Sequence, residues 1–164
     1  MSIGPNRSAA LTTVDTDRDS RSADIEFGAL GSLLGYHLRR AQVATYQNFA
    51  RVLDGWNISP GQIGVLALVQ ANSGINQTRI GNALGIDRST LVAVIDRLEE
   101  RDLIARTPSP TDRRSHALVL TKAGERYLAE LLPHVHDHER QIASKLSDDE
   151  RATLISLLGR VGSV

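Results

Sequence analysis

Apolar residues recur at helical spacing over a long stretch near the start of the chain, from about Ile25 to Leu53. The apolar positions in this stretch are Phe27, Leu30, Leu34, Leu38, Ala41, Tyr46, Phe49 and Leu53. This spacing predicts one long amphipathic helix. Residues 1–24, which precede it, are polar and lack any periodicity, so we expect a disordered tail there.

A second helix is predicted after the break "DGWNISPGQ". Ser59 is a suitable N-cap, and Pro60 fits the first helical turn because its missing N–H has no helical partner there. The helix should run from Gly61 to about Ala71, where "NSGIN" interrupts it.

Two helices joined by a tight turn follow. The first should run from about Gln77 to Leu84 and end at Gly85, and Asp87 should cap the second, from Arg88 to about Arg101. The expected buried stripe of the second helix is Leu91, Val94, Ile95 and Leu98. Two helices joined by a turn of about three residues are typical of a helix-turn-helix.

The hydrophobic period changes after the second of these helices. "LIART" and "HALVL" are two candidate strands, joined by the segment "PSPTDRRS". A helix-turn-helix followed by a β-hairpin is a winged helix, so the fold class is mainly α with a small β-wing.

Two more helices are predicted at the end of the chain. Thr121 should cap a helix that runs to about Lys145, and Ser147 with Glu150 forms a capping box for the last helix. We expect a tail at 1–24, an N-terminal dimerisation helix and linker at 25–58, a winged helix-turn-helix lobe at 59–121 and C-terminal dimerisation helices at 122–164. Apolar helices at both ends predict a symmetric homodimer, the alternative being a monomer whose end helices fold back on the lobe.

Composition narrows the function classes. The 164 residues carry a net charge of zero, which argues against a non-specific polyanion binder, and there are no cysteines for thiolate catalysis or redox sensing. No motif for a nucleophile with its base, a phosphate loop or a carboxylate pair stands out, so we expect no enzyme and no cofactor. Neither a membrane-spanning run nor a secretory signal is present, and the expected location is the cytoplasm.

The order and spacing of several motifs resemble the MarR family of bacterial transcription regulators. The motifs that carry this resemblance are "VIDRLEERDLI", the "DRR" of the hairpin and the following "LTKAG". The resemblance covers roughly residues 27–160. It implies a homodimeric winged helix that binds a palindromic operator in double-stranded DNA. Such a protein is usually a repressor that a small ligand, often an aromatic carboxylate or phenolic compound, releases from DNA.

The resemblance also implies roles for individual residues. Arg114 resembles the wing arginine that enters the minor groove, Asp112 the acid that orients the wing, and Arg113 a phosphate contact. In the helix that would enter the major groove, the candidate DNA contacts are Arg88, Ser89, Thr90, Val92, Ala93 and Arg97. Ala93 can contact only a thymine methyl group, so DNA shape should supply much of the specificity. Arg97 could contact phosphate or pair with Asp112.

The resemblance implies a ligand pocket between the dimerisation helices and the DNA-binding lobe, and the first helix offers candidate residues for it. His37 and Arg40 are three residues apart and share a helix face, where they could bind an anionic aromatic ligand. Arg39 with Arg40 could meet a larger anion, such as the phosphates of a coenzyme A thioester. The candidate ligand-binding residues are Tyr36, His37, Arg39, Arg40, Tyr46 and Trp56. The alternative is that the rings belong to a dimer core and the arginines are exposed.

The histidine run "HVHDH" leaves a third possibility open. His134 and His138 have the i, i+4 spacing that can bind zinc, and His37 or Glu139 could add a third ligand. A solvated helix face is the simpler interpretation. The rival functions are therefore a zinc-responsive regulator and a DNA-binding protein without an effector.

Overall fold

The computed structural model describes residues 25–108 and 116–161. The chain forms two compact units, Met1–Arg40 and Ala41–Val164. In chain order, the elements are a 3-10 helix at Gly28–Ser32, α1 at Leu34–Val52, α2 at Pro60–Ala71, β1 at Ile75–Asn76, α3 at Gln77–Leu84, α4 at Arg88–Glu100, β2 at Ile104–Pro108, β3 at His116–Leu120, α5 at Lys122–Ile142 and α6 at Asp148–Leu158. No helix in these described ranges has the length and apolar character needed to cross a membrane.

The first helix begins later than the hydrophobic spacing predicts. Gly28–Ser32 is a single 3-10 turn, and Leu33 is extended, with ψ at 118°, before α1 begins at Leu34. Gly28 has φ at +49°, a left-handed conformation that glycine adopts without a Cβ clash. The prediction of one continuous helix from Ile25 is therefore wrong for its first turns, because the "GALGS" segment adopts a different backbone.

The second unit is built around an aliphatic core. Its fully buried side chains are Val65, Leu66, Val69, Ile80, Leu91, Ile95, Leu98, Ile104, Leu118, Leu128 and Leu131. Phe49 of α1 and Leu53, which directly follows α1, belong to the same buried cluster, as do Leu128 and Leu131 of α5. Helices assigned from sequence to dimerisation thus also complete the core of the DNA-binding lobe.

The starts of α2, α3 and α4 follow local capping chemistry. The Ser59 hydroxyl accepts from the Gln62 N–H, and the Gln62 side chain accepts from the Ser59 N–H, which makes a capping box. Asn76 caps α3 by accepting from the Arg79 N–H at 2.9 Å. Helix α3 ends at Gly85, as predicted, and this glycine has the left-handed φ of +62° that is common at helix ends. The predicted helix-turn-helix is therefore confirmed.

A three-stranded antiparallel sheet, in the order β1-β3-β2, closes the lobe. In the β2–β3 hairpin, Ile104 lies opposite Leu120 and Pro108 lies opposite His116. The two predicted strands are confirmed, whereas β1 was not predicted, because two residues are too few to show an alternating pattern.

The start of α5 packs unusually closely on the backbone of Leu103, the residue before β2. Thr121 caps the helix by accepting from the Gly124 N–H at 2.9 Å. A Cβ placed on Gly124 would lie 1.9 Å from the Leu103 carbonyl oxygen, so only glycine fits there. This contact explains physically the glycine of "LTKAG". Helix α5 ends at Ile142, three residues before the predicted Lys145, since the chain must turn before Ser147 caps α6.

Helix α6 has a strong start and no buried residue. Ser147 and Glu150 form the predicted capping box, with hydrogen bonds in both directions. Hydrogen bonds from the Ser147 N–H and hydroxyl lower the pKa of the Glu150 carboxyl below its usual range. The apolar side chains of α6 are between 43% and 59% exposed at Leu154, Ile155, Leu157 and Leu158.

Candidate DNA-binding face and ligand clefts

Helix α4 separates an apolar face from a polar one. Leu91, Ile95 and Leu98 are buried in the core, and Val94 is half-buried, in agreement with the predicted stripe. All six candidate contacts of this helix are exposed: Arg88, Ser89, Thr90, Val92, Ala93 and Arg97. This face of α4 is therefore accessible to a macromolecular partner.

The Asp87 carboxylate organises the start of α4. It accepts from the Ser89 hydroxyl and the Thr90 hydroxyl, each at 2.6 Å, and from the Thr90 N–H at 3.0 Å. These bonds favour the ionised carboxylate, so the pKa of Asp87 is strongly lowered. Ser89 and Thr90 therefore stand at the helix start with their hydroxyl protons directed to Asp87 and their oxygen lone pairs still available.

An ion-pair cluster joins the hairpin to α4. Arg106 of β2 forms salt bridges to both Asp96 and Glu99. The acids are three residues apart, so they lie on one side of α4 and hold one guanidinium between them. Sequence reasoning missed this cluster, although two acids at this spacing before an arginine-bearing strand are a usable signal. The cluster connects the base of the hairpin to the helix beside it.

Arg88 borders a polar cleft of about 510 Å³. Its lining includes the donor-bearing side chains of Asn76, Gln77, Thr78, Arg88, Arg106 and His116. Hydroxyls, amides and arginines are the groups that commonly contact phosphate oxygens. Of this group, only Arg88 was predicted, since Asn76, Gln77 and Thr78 at the start of α3 carry no motif of their own.

The three predicted wing residues Asp112, Arg113 and Arg114 lie outside the described residues. A pairing of Arg97 with Asp112 therefore stays a prediction. Arg97 itself lies on the exposed side of α4 and, together with Glu100 and Arg101, lines a cleft of about 750 Å³. Arg101 is held nearby, because it donates to the Asn57 carbonyl at 2.8 Å.

In the first unit, three of the predicted ligand residues form a cluster with Phe27. The Arg40 guanidinium carbon lies 6.0 Å from the centre of the Phe27 ring and 5.8 Å from that of Tyr36. His37 lies edge-on to Tyr36, and its Nε2 donates to the Gly31 carbonyl at 2.9 Å. Arg39 is exposed on the same helix. His37 and Arg40 thus each lie beside the Tyr36 ring.

Tyr46 and Trp56, in the second unit, have different surroundings. Tyr46 lines both the 750 Å³ cleft and a more apolar cleft of about 530 Å³ between α1, α2 and α5. Trp56 instead packs edge-on against Tyr127 and contacts the His134 ring, and its carbonyl accepts from the Tyr127 hydroxyl. Tyr46 is therefore the better placed of the two to touch a ligand in either cleft.

The two histidines of the possible zinc site also have separate surroundings. His134 contacts Trp56, whereas His138 is buried against Phe49 and hydrogen-bonds to Asn48. Within residues 25–108 and 116–161, no three histidine, aspartate or glutamate side chains form a group that could hold a metal ion. Sequence reasoning missed the buried role of His138, although its spacing from Leu128, Leu131 and Val135 continues the apolar stripe of α5.

Comparison with known proteins decides the family. The MarR family model matches residues 58–116. A protein of Thauera aromatica, described as a transcriptional regulatory protein for the hcr operon, is 39% identical over 144 residues, which is 87% of either chain. The chain belongs to the MarR family. It is a winged helix-turn-helix transcription regulator.

Two solved MarR-family structures share most of the fold. The transcriptional repressor CouR bound to a 23-mer DNA duplex is 41% identical, with a TM-score of 0.79 over 85% of this chain and 99% of that chain. CouR bound to p-coumaroyl-CoA is 39% identical, with a TM-score of 0.76 over the same shares of the two chains. CouR is thus a relative with both a DNA-bound and a ligand-bound structure.

Proposed function

We propose that the protein is a homodimeric repressor that binds a palindromic operator and leaves it when a small aromatic compound binds. The aromatic compound is an anionic acid or its coenzyme A thioester. The observation that carries the proposal is the exposed polar face of α4 on a helix-turn-helix, in a chain 41% identical to the DNA-bound repressor CouR.

The exposed face of α4 supplies the major-groove contacts in this proposal. At the start of the helix, Ser89 and Thr90 accept from base amino groups, or donate to phosphate once a hydroxyl turns away from Asp87, and Arg88 meets phosphate from the adjacent polar cleft. Val92 and Ala93 offer apolar contacts to thymine methyl groups, and Arg97 reaches phosphate. From the family resemblance, Arg114 enters the minor groove, with Asp112 orienting it and Arg113 on the backbone.

Exposed apolar residues in each unit support the homodimer. In the first unit, five apolar side chains are exposed: Ile25, Phe27, Leu30, Leu33 and Leu34. In the second unit, α6 exposes the four described above and Val161 follows them. Several exposed apolar side chains on one short segment are typical of an interaction site, and a two-fold pairing of such segments makes a closed dimer.

Two features support an aromatic effector. Tyr36, His37 and Arg40 combine aromatic rings with a cation, and Arg39 adds a second positive charge for a phosphate group. Tyr46 offers a ring to the clefts of the second unit, and Trp56 is the remaining candidate. The structure of CouR with p-coumaroyl-CoA makes an aromatic thioester the first compound to test.

Rival functions have less support. A zinc-responsive regulator would need a third ligand near His134 and His138, and the described ranges hold no such group. For an effector-independent DNA-binding protein, the two clefts lined by Tyr46 would have no ligand to bind. We also propose that the protein catalyses no reaction and works in the cytoplasm, where operator DNA is found, because MarR-family proteins act by binding DNA.

The first test is fluorescence anisotropy with DNA from upstream of the gene and a scrambled duplex, across a salt series. We expect selective binding with a steep salt dependence, and release when p-coumaroyl-CoA is added. His37→Ala and Arg40→Ala should blunt the release while keeping DNA affinity, and Arg126→Ala is a matched surface control. Equal binding to both duplexes would contradict the proposed repressor.

A further inference from the structure

A chain of hydrogen bonds connects an exposed arginine to a buried histidine beside the apolar cleft. Arg51 donates to the Gln141 side-chain oxygen at 2.9 Å, and the Asn48 amide nitrogen donates to the same oxygen at 3.0 Å. The Asn48 side-chain oxygen then lies 2.7 Å from Nδ1 of His138. The chain thus runs from α1 to α5 and ends on the imidazole ring.

The direction of this chain follows from its first member. An arginine can only donate, so Gln141 must present its oxygen to Arg51, and that oxygen then receives the Asn48 NH₂. Asn48 consequently turns its own oxygen towards His138, which must donate from Nδ1. In a neutral imidazole with Nδ1 protonated, Nε2 carries a lone pair and can only accept a hydrogen bond.

Nε2 of His138 keeps access to solvent although the residue is only 5% exposed. In the described part of the chain, His138 has one hydrogen bond, through Nδ1, and no buried side-chain nitrogen or oxygen lacks a partner. Nε2 is therefore not sealed in the core. His138 lines the 530 Å³ cleft, whose apolar walls include Phe49, Ile63 and Val135.

We propose that this cleft binds a planar ring that carries a neutral hydroxyl group, and that the hydroxyl donates its hydrogen bond to Nε2 of His138. The apolar walls and the volume suit an aromatic ring. Glu139 lines the same cleft, and its ion pair with Arg151 is long at 3.7 Å, so its charge is only partly compensated. A carboxylate group on the ring would therefore meet a like charge there, whereas a phenol would not. The inference rests on the proposed effector response and specifies which end of the effector enters this cleft.

Ligand binding by the full-length protein tests the acceptor role of His138. Calorimetry would compare p-coumaroyl-CoA with cinnamoyl-CoA, which lacks the hydroxyl, and 4-methoxycinnamoyl-CoA, which can accept but not donate. We expect both analogues to bind at least about tenfold more weakly, because Nε2 is left without a donor. His138→Leu should remove this difference, and His134→Leu, on the same helix outside the cleft, should keep it.

The outcomes separate the two proposals. Binding of all three thioesters with equal affinity would overturn the role of His138 and leave the aromatic effector in place. Binding of none would overturn the proposed effector class and the cleft assignment together. Loss of discrimination in both histidine variants would also overturn the specific role of His138.

A measurement without ligand tests the hydrogen-bond chain itself. Long-range proton–nitrogen NMR at mildly alkaline pH distinguishes the two imidazole tautomers, and the missing signal in His138→Leu assigns the residue. We expect the Nδ1–H form in the wild type and a shift towards the Nε2–H form in Asn48→Leu. The Nε2–H form in the wild type would overturn the inference, whatever the result of ligand binding.

Discussion

Helices α4 and α6 have similar N-terminal caps but differ in the burial of their apolar side chains. Asp87 caps α4 and Ser147 caps α6, each through a side-chain oxygen that accepts from the backbone three residues on. Yet α4 buries Leu91, Ile95 and Leu98, whereas α6 buries no residue. A cap determines where a helix starts, but only a packed neighbour determines whether its apolar face is buried. The open face of α6 is thus the natural place for a partner chain.

The largest expected effect comes from the core side of α4. Leu98→Ala should lower the free energy of unfolding by about 2–5 kcal/mol, because the side chain is fully buried and its removal leaves a cavity. Urea denaturation measures the change, with Ser156→Ala on the exposed α6 as the control. A cost similar to that of the control would show that α4 is not packed into the core.

The next effect concerns the open side of α6. Ile155→Asp should weaken the homodimer by at least about a hundredfold, since a carboxylate in an apolar interface is costly to desolvate. Sedimentation equilibrium measures the dissociation constant, and Ser144→Asp, in the exposed turn before α6, is the control. Circular dichroism should show that the DNA-binding lobe stays folded. An unchanged dimer would place the interface elsewhere.

The third effect concerns DNA binding by the wing, which should be independent of the dimer contacts of α6. Arg114→Ala is expected to weaken operator binding by about 1–3 kcal/mol and leave the dimer intact, because the family resemblance implies a minor-groove contact for this residue. Anisotropy gives the affinity, and Arg126→Ala is the control on α5. If the variant became monomeric, the assignment of Arg114 to the wing would be wrong.

The smallest expected effect is the pH-dependent stabilisation by the carboxylates at the two helix caps. The pKa values of Asp87 and Glu150 are both lowered in the folded protein, so each carboxylate stabilises the fold at neutral pH. This contribution should be present above the ordinary carboxyl pKa and disappear as the pH falls through the lowered folded value. Asp87→Asn and Glu150→Gln should therefore be less stable than wild type at neutral pH and approach it in acid.

Urea denaturation at several pH values measures these differences. The wild type and Arg126→Gln, an exposed change on α5 away from both caps, should show the same acid dependence. A difference for either cap variant that grows as the pH falls would contradict the assigned direction of the pKa shifts.

Much of the lobe could be predicted from sequence because its signals are local. Ser59, Gly85 and Asp87 each act on backbone within three residues, and the period of α4 predicted its buried face. The start of α1 was mispredicted because apolar spacing continued through a segment whose glycines favour another backbone. Strand β1 was missed because its only evidence is the pairing of Ile75 with Leu118, more than forty residues away.

Within the candidate sites, too, the local features could be predicted from sequence and the contacts between distant segments could not. The exposed residues of α4 followed from the helical period, and the cluster of Tyr36, His37 and Arg40 followed from their spacing on α1. The ion pairs of Arg106 with α4 did not, because they join different elements. His138 was noted only as half of a histidine pair, since its partner Asn48 lies ninety residues earlier in the chain.

By itself, the sequence determined the family, the helix-turn-helix and the caps, since each depends on residue identity within one or two helical turns. The tertiary structure decided which histidine is buried, that a Cβ on Gly124 would clash with the Leu103 carbonyl and that Arg106 joins the hairpin to α4. It also decided that α6 is left uncovered. These properties depend on which side chains meet across distant segments, and the packed chain alone brings those segments together.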